Sequence, residues 1–179
     1  MDSDRHRWNR KHTERNPHLM EVNPRLVSLA PRLTQGLACD IAMGIGQNAA
    51  WLEARGWTVV GLDLSDVAIR RAGIARRVHG DALHLPLRRG RFDLVVCTFF
   101  FDRRLLPVLR ALVRPGGTVF HEVHDLNFRK YRPDFPERFC ARPGELEAAF
   151  AGFEVLHHGS GDTGGHTFET IAGRRPASC

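Results

Sequence analysis

The sequence predicts an α/β fold: a mostly parallel, Rossmann-like sheet of seven strands, with helices on both faces and an antiparallel hairpin at its C-terminal edge. Three observations predict it. From Leu37 onward, short apolar runs alternate with helical patterns, as in strands joined by crossover helices. The most apolar run, Phe92–Thr98, reads as a central strand buried on both faces. Gly159, Gly161, Gly164 and Gly165 separate two final strand-like segments and mark a hairpin turn.

The elements follow in order. Residues 1–36 are polar and basic and read as an arm or lid, with a short helix at 8–14, a loop, and a helix starting at Pro24 with Asn23 as its N-cap. Residues 37–179 form the main domain. It opens with a strand at 37–43, a helix at 48–55 closed by Gly56, and a strand at 58–62 ending on Asp63. Ser65 or Asp66 caps a helix through Ala72, and a weak strand covers 77–79. After the central strand come a helix at 104–113, a Pro115-Gly116-Gly117 breaker and a strand at 118–123. The stretch 125–142 has no clear period and carries Phe128, Tyr131, Phe135 and Phe139. A helix at 143–151 and strands at 154–158 and 166–172 complete the chain.

With 179 residues, 42% hydrophobic and 26% charged, the chain can bury a core without disulfides; a disordered, collagen-like or coiled-coil chain is excluded. Cys39, Cys97, Cys140 and Cys179 show no CxxC spacing, so no metal site is expected. Cys39 and Cys97 lie in apolar runs, and a reducing cytoplasm is the expected compartment. The start, Met-Asp-Ser-Asp followed by arginines, is not a signal peptide, and the apolar run 94–101 is too short for a bilayer, so no membrane partner is expected. The net charge is +6, from 24 Arg and only Lys11 and Lys130 among the lysines. The arginine pairs are spread along the chain without interleaved aromatics, which disfavours a nucleic-acid partner.

Three motifs carry chemistry. Asp40-Ile41-Ala42-Met43-Gly44-Ile45-Gly46 lies where the first strand meets the first helix, where glycines expose backbone amides to a ligand. The alternative is a tight packing turn. Asp63 ends the second strand, where a carboxylate can accept both hydroxyls of a ribose; its alternative is a helix N-cap. Gly80-Asp81-Ala82-Leu83 follows the third strand and can meet an adenine edge, or serve as a plain Asp turn. No glycine completes a G-x-G-x-x-G pattern after Gly46, so the pocket suits a nucleoside ligand without phosphates.

On these residues the sequence resembles the class I S-adenosylmethionine-dependent methyltransferases. The similarity runs through LACDIAMGIGQNAAWLEARGWTVVGLDLS, GDALHLPLRRGRFDLVVC and LLPVLRALVRPGGTVFHEV. Within that family it is most similar to the small tellurite-resistance (TehB-like) subgroup, through Gln47-Asn48-Ala49, the 143–155 segment and the Trp-containing arm. The resemblance implies S-adenosyl-L-methionine as methyl donor, with S-adenosyl-L-homocysteine as product. It places Asp40, Ala42, Gly44 and Asn48 along the methionine part, Asp63 on the ribose, Leu64 on the adenine face, and Asp81 and Ala82 at the adenine edge. Cys97 or Thr98 lines the site past the fourth strand, and Lys11 pairs with the donor carboxylate. Met43 and Ala42 depart from the family's common cysteine and glycine, and the last hairpin is shorter than in the tellurite-resistance proteins.

The implied activity is methylation of a small molecule, a thiol or a chalcogen oxyanion of the tellurite or selenite type. Alternatives are RNA methylation and a non-catalytic donor-binding module. Because a sulfonium methyl is already activated, a base is needed only for a protonated acceptor. Candidate catalytic residues are His166 and Glu122; His121, His124 and His12 are further bases, with His121 and His124 on opposite faces of one strand. Phe99–Phe101 read as partly core and partly site wall. The oligomeric state is not fixed by the sequence. Asp63→Ala is expected to remove most donor affinity and leave the fold intact.

Overall fold

A computed structural model describes residues 2–14 and 21–177; Cys179 lies outside the described residues. By contacts the chain falls into two compact units, 1–87 and 88–179. In the first unit, α1 (Asp2–Glu14) and α2 (Pro24–Leu29) precede β1 (Leu37–Ile41), α3 (Gln47–Glu53), β2 (Thr58–Asp63), α4 (Asp66–Arg71) and β3 (Arg76–His79). In the second, β4 (Phe92–Thr98), α5 (Leu106–Leu112), β5 (Val113–Val123), α6 (Glu145–Ala149), β6 (Glu154–Asp162) and β7 (Thr167–Arg174) follow. The strand order is β3-β2-β1-β4-β5-β7-β6. Pairing is parallel for β1–β2, β2–β3 and β4–β5, and antiparallel for β5–β7 and β6–β7, as the sequence predicts.

Local chemistry sets the element ends. Asn23 caps α2, its side-chain oxygen accepting from the Arg25 and Leu26 amides, with Pro24 in the first turn. Ser65 caps α4 by accepting from the Ala68 amide at 3.1 Å. Leu94, Val95, Val96 and Cys97 on β4 are fully buried, as expected of a central strand.

Several boundaries differ from the sequence expectation: α1 begins at Asp2 rather than at residue 8, and β6 runs on through Gly159 and Gly161, which pair with β7 instead of forming the turn. Pro115-Gly116-Gly117 does not separate helix from strand; it runs inside β5, which starts at Val113. The Gly116 amide donates to the Arg175 carbonyl and the Arg175 amide to the Gly117 carbonyl, so the ladder to the C-terminal segment holds through the glycines. A register shift against β4 between Phe92 and Leu94 absorbs the irregularity. The helices expected on either side are shorter, and α5 is preceded by a single 3-10 turn over Arg103–Leu105.

Arginines recur as carbonyl donors. Arg77 reaches the Ile69 and Ala72 carbonyls at the end of α4, and Arg110 reaches those of Ala149 and Ala151 at the end of α6. Arg175 reaches Val113, and Arg103 reaches Arg138 and Cys140. Carbonyls at helix ends lack intrahelical donors, which is where Arg77 and Arg110 reach. Among the described residues, no helix is long and apolar enough to cross a membrane.

Two glycines make opposite predictions. A Cβ at Gly117 would lie 2.7 Å from the Phe92 carbonyl oxygen, which belongs to rigid strand backbone. Gly117→Ala is therefore expected to cost about 2 kcal/mol of unfolding free energy. Gly73 has nothing within 4 Å of its Cβ position, and Gly73→Ala is expected to stabilise by about 0.5 kcal/mol through the unfolded chain. Urea denaturation of both variants checks the pair.

Candidate active site

The loop after β1 is built by alternating the sign of φ. Ala42, Gly44 and Gly46 hold φ of 55, 59 and 82°, with Met43 and Ile45 between them. Such alternation turns successive amides toward one concavity. Glycine takes these angles freely, whereas the Ala42 methyl costs about 1 kcal/mol there, so the family's glycine is the relaxed choice at this position. The Met43 amide still donates to the Leu62 carbonyl, which keeps the loop in register with β2.

Asp63 holds this loop. One carboxylate oxygen accepts from the Gly44 amide and the other from the Ser65 amide, each at 2.8 Å, and the residue is buried. The carboxylate also joins the β1 loop to the end of β2, so Asp63→Ala is expected to loosen the fold as well.

Asp40 stands on β1 opposite Gly61 of β2. It is 1% exposed, and neither carboxylate oxygen closes a full hydrogen bond. Burial first, and then the charge of Asp63, push its pKa up from 3.8 to about 8, with the Ala49 amide opposing weakly. A buried acid with open acceptor atoms beside a cradle of amides suits a cationic ammonium group.

The remaining sequence-predicted residues of the first unit divide. Asn48 is buried on α3 and its side-chain oxygen accepts from the Asn23 amide at 2.9 Å, tying the start of α2 to the loop. Leu64 is half-buried, and its carbonyl accepts from the His79 ring. Asp81 folds back on its own turn, accepting from the Leu83 amide and pairing with His84 at 2.9 Å, while Ala82 is buried beside it. Lys11 lies over the Trp8 ring at 4.6 Å. The arm itself docks on α4: the Asn9 side chain donates to Asp66 at 2.6 Å and accepts from the Ser65 hydroxyl at 2.7 Å, and Arg71 reaches the His12 carbonyl. Asn9 and its contact with Ser65 were not legible in the sequence, because nothing in their spacing shows that they meet.

In the second unit, Cys97 and Thr98 end β4. The Cys97 thiol donates to the Phe100 carbonyl and its own carbonyl accepts from His121. His121 is wholly buried, and burial lowers its pKa to about 4. Glu122 is wholly buried and accepts from the Thr170 hydroxyl at 2.7 Å. His166 is half-buried, with its Nδ1 3.0 Å from the Thr163 hydroxyl and its ring edge-on to Phe99. His121 and His124 face different surroundings, as strand parity requires: the first is inaccessible and the second sits among rings.

Residues 39–121, from β1 into β5, match a family model described as a methyltransferase domain. That match covers a little under half of the chain. A ribosomal RNA small subunit methyltransferase C from Alcanivorax borkumensis is 30% identical to it over 102 residues, which is 48% of this chain and 31% of that protein. The chain spans less than half the length of the curated relatives it matches. Among solved structures, TehB from Haemophilus influenzae superposes with a TM-score of 0.73 at 17% identity, over 86% of this chain and 62% of that one. A protein studied for converting a disulfide bond into a thioacetal group during echinomycin biosynthesis superposes with a TM-score of 0.70 at 23% identity, over 89% and 84%. These likenesses show the Rossmann-like fold alone.

Two measurements test this geometry. Asp63→Ala leaves the Gly44 and Ser65 amides without acceptors, so it is expected to cost about 3 kcal/mol of stability as well as donor affinity. Asp40 binds its proton more tightly folded than unfolded, so wild-type stability is expected to fall as pH rises from about 3.8 towards about 8. Asp40→Asn should flatten that slope and show no gain at the acid end; an unchanged slope of urea midpoint against pH refutes the assignment.

Proposed function

We propose that the chain transfers a methyl group from S-adenosyl-L-methionine to a small molecule. The observation that carries this reading is the left-handed loop 42–46, held by Asp63 with the unpaired Asp40 carboxylate behind it. In this reading, Asp40, Ala42, Gly44 and Asn48 hold the methionine part of the donor and Asp63 its ribose. Leu64, Asp81 and Ala82 surround the adenine, and Lys11 completes the site. Each Asp63 oxygen accepts one backbone amide and keeps a second lone pair for a ribose hydroxyl. The bound donor supplies an activated sulfonium methyl; the chain supplies proximity, orientation and exclusion of water. A small acceptor is supported over RNA by the many guanidinium groups already committed to the protein's own carbonyls and carboxylates. Glu122 and His166 remain proposed acceptor-side residues.

S-adenosyl-L-homocysteine at a hundredfold excess over its Kd is expected to raise the Tm by roughly 5–10 °C, whereas NAD leaves it unchanged. Stabilisation by NAD instead, or by neither compound, overturns the reading.

A further inference from the structure

Phe99 carries two costs at once. Among the described residues of the second unit it alone, apart from glycines, holds a left-handed φ, of 55°. It also leaves 40% of its surface exposed. The Glu122 carbonyl accepts its amide at 2.7 Å and fixes the strained backbone, so the ring is held out rather than allowed to fold inward.

That ring belongs to a cluster drawn from separate segments. His124, just past β5, lies 4.9 Å from Phe99 and stacks on Phe128 at 3.8 Å with planes 6° apart. Phe135 stands edge-on to His124 and Phe128 at 5.6 and 5.0 Å. His166 closes against Phe99 at 5.3 Å. Phe99 follows the carboxyl end of β4 and His124 that of β5, the edge where open α/β sheets bind ligands.

The cluster contains no permanent cation. Arg129 and Lys130 of the neighbouring segment pair with Glu137 and Asp162. The groups facing His124 are His166, Asp125 and Glu122. Asp125 accepts from the Thr167 hydroxyl and the Asn127 amide, and Glu122 from the Thr170 hydroxyl. An oxyanion finds no fixed countercharge in such a wall, whereas a flat uncharged ring finds faces and edges to pack on.

The imidazole of His124 is oriented. Its Nδ1 lies 3.3 Å from the Thr167 carbonyl oxygen, which only accepts, so the proton sits on Nδ1 and the lone pair on Nε2. Nε2 has no hydrogen-bond partner among the described residues. Burial above all holds its pKa below the ordinary histidine value, with His166 adding to it and the Thr167 carbonyl, Asp125 and Glu122 opposing, so the ring is neutral near pH 7 and available as a base.

We infer that this cluster is the methyl-acceptor site, that it takes a flat aromatic molecule bearing an ionisable O–H or S–H, and that His124 Nε2 accepts that proton. The inference rests on the methyl-transfer reading above. The acceptor's O–H or S–H bond breaks as the Nε2–H bond forms, leaving an imidazolium. The acceptor's freed electron pair forms the new bond to the methyl carbon while the sulfonium C–S bond breaks, its pair remaining on sulfur. The imidazolium then returns its proton to water.

The test uses the full chain with para-nitrophenol, whose phenolate absorbs visibly, with nitrobenzene and tellurite as comparison ligands, at a pH below the phenol's own titration. Wild type is expected to bind para-nitrophenol saturably and to raise its phenolate absorbance, with tellurite failing to compete. Phe99→Gly relieves the backbone strain, so it should hold or raise the Tm while weakening binding about tenfold. His124→Gln should bind both aromatic compounds within about threefold of wild type and lose the phenolate signal. Absence of para-nitrophenol binding, competition by tellurite, or full binding and signal in both variants overturns the inference. S-adenosyl-L-homocysteine titrated into the same samples separates the two readings. If that nucleoside binds and the phenol does not, the acceptor site alone fails; if the nucleoside does not bind, the methyl-transfer reading fails.

Discussion

The first unit depends on one carboxylate. Asp63 is bound by the Gly44 amide of the β1 loop and by the Ser65 amide that starts α4. Ser65 in turn caps α4 and donates its hydroxyl to Asn9 of the arm. Two β-strand ends, a helix start and the arm are thus connected within one short hydrogen-bonded chain. Buried carboxylates are stable when their oxygens are filled, and here backbone amides fill them.

Asp40 shows the opposite arrangement a strand away. Its oxygens are buried and unfilled, and its proton is correspondingly hard to remove. The two carboxyls thus differ: Asp63 is tied to two backbone amides, whereas Asp40 is buried with its oxygens open and holds its proton tightly. Environment alone separates two identical side chains, because one meets amides and the other meets apolar strand and a like charge.

Much of this was legible in the sequence, and the reason is periodicity. Buried β-branched runs, the Asn23 and Ser65 caps and the glycine turn after β1 are local signals, and each lies where expected. What was not legible depends on residues far apart in sequence. The glycines of Pro115-Gly116-Gly117 look like a breaker until the Arg175 backbone completes their ladder. The Asp81 carboxylate looks available until its own turn folds onto it. Phe99, His124 and Phe135 stand in three unrelated patterns, and only the topology brings them together.

The arginines give the charge a different meaning. A guanidinium that reaches the last carbonyls of a helix does what a left-handed glycine cap otherwise does, and it does so from a distant strand or helix. Its planar fork can meet two carbonyls at once, as Arg103 does with Arg138 and Cys140 through its two terminal nitrogens. A basic isoelectric point then becomes a by-product of internal scaffolding. Arginine and lysine cease to be synonyms in this chain: a lysine-for-arginine exchange would leave the isoelectric point nearly where it is while unpinning the ends of its helices.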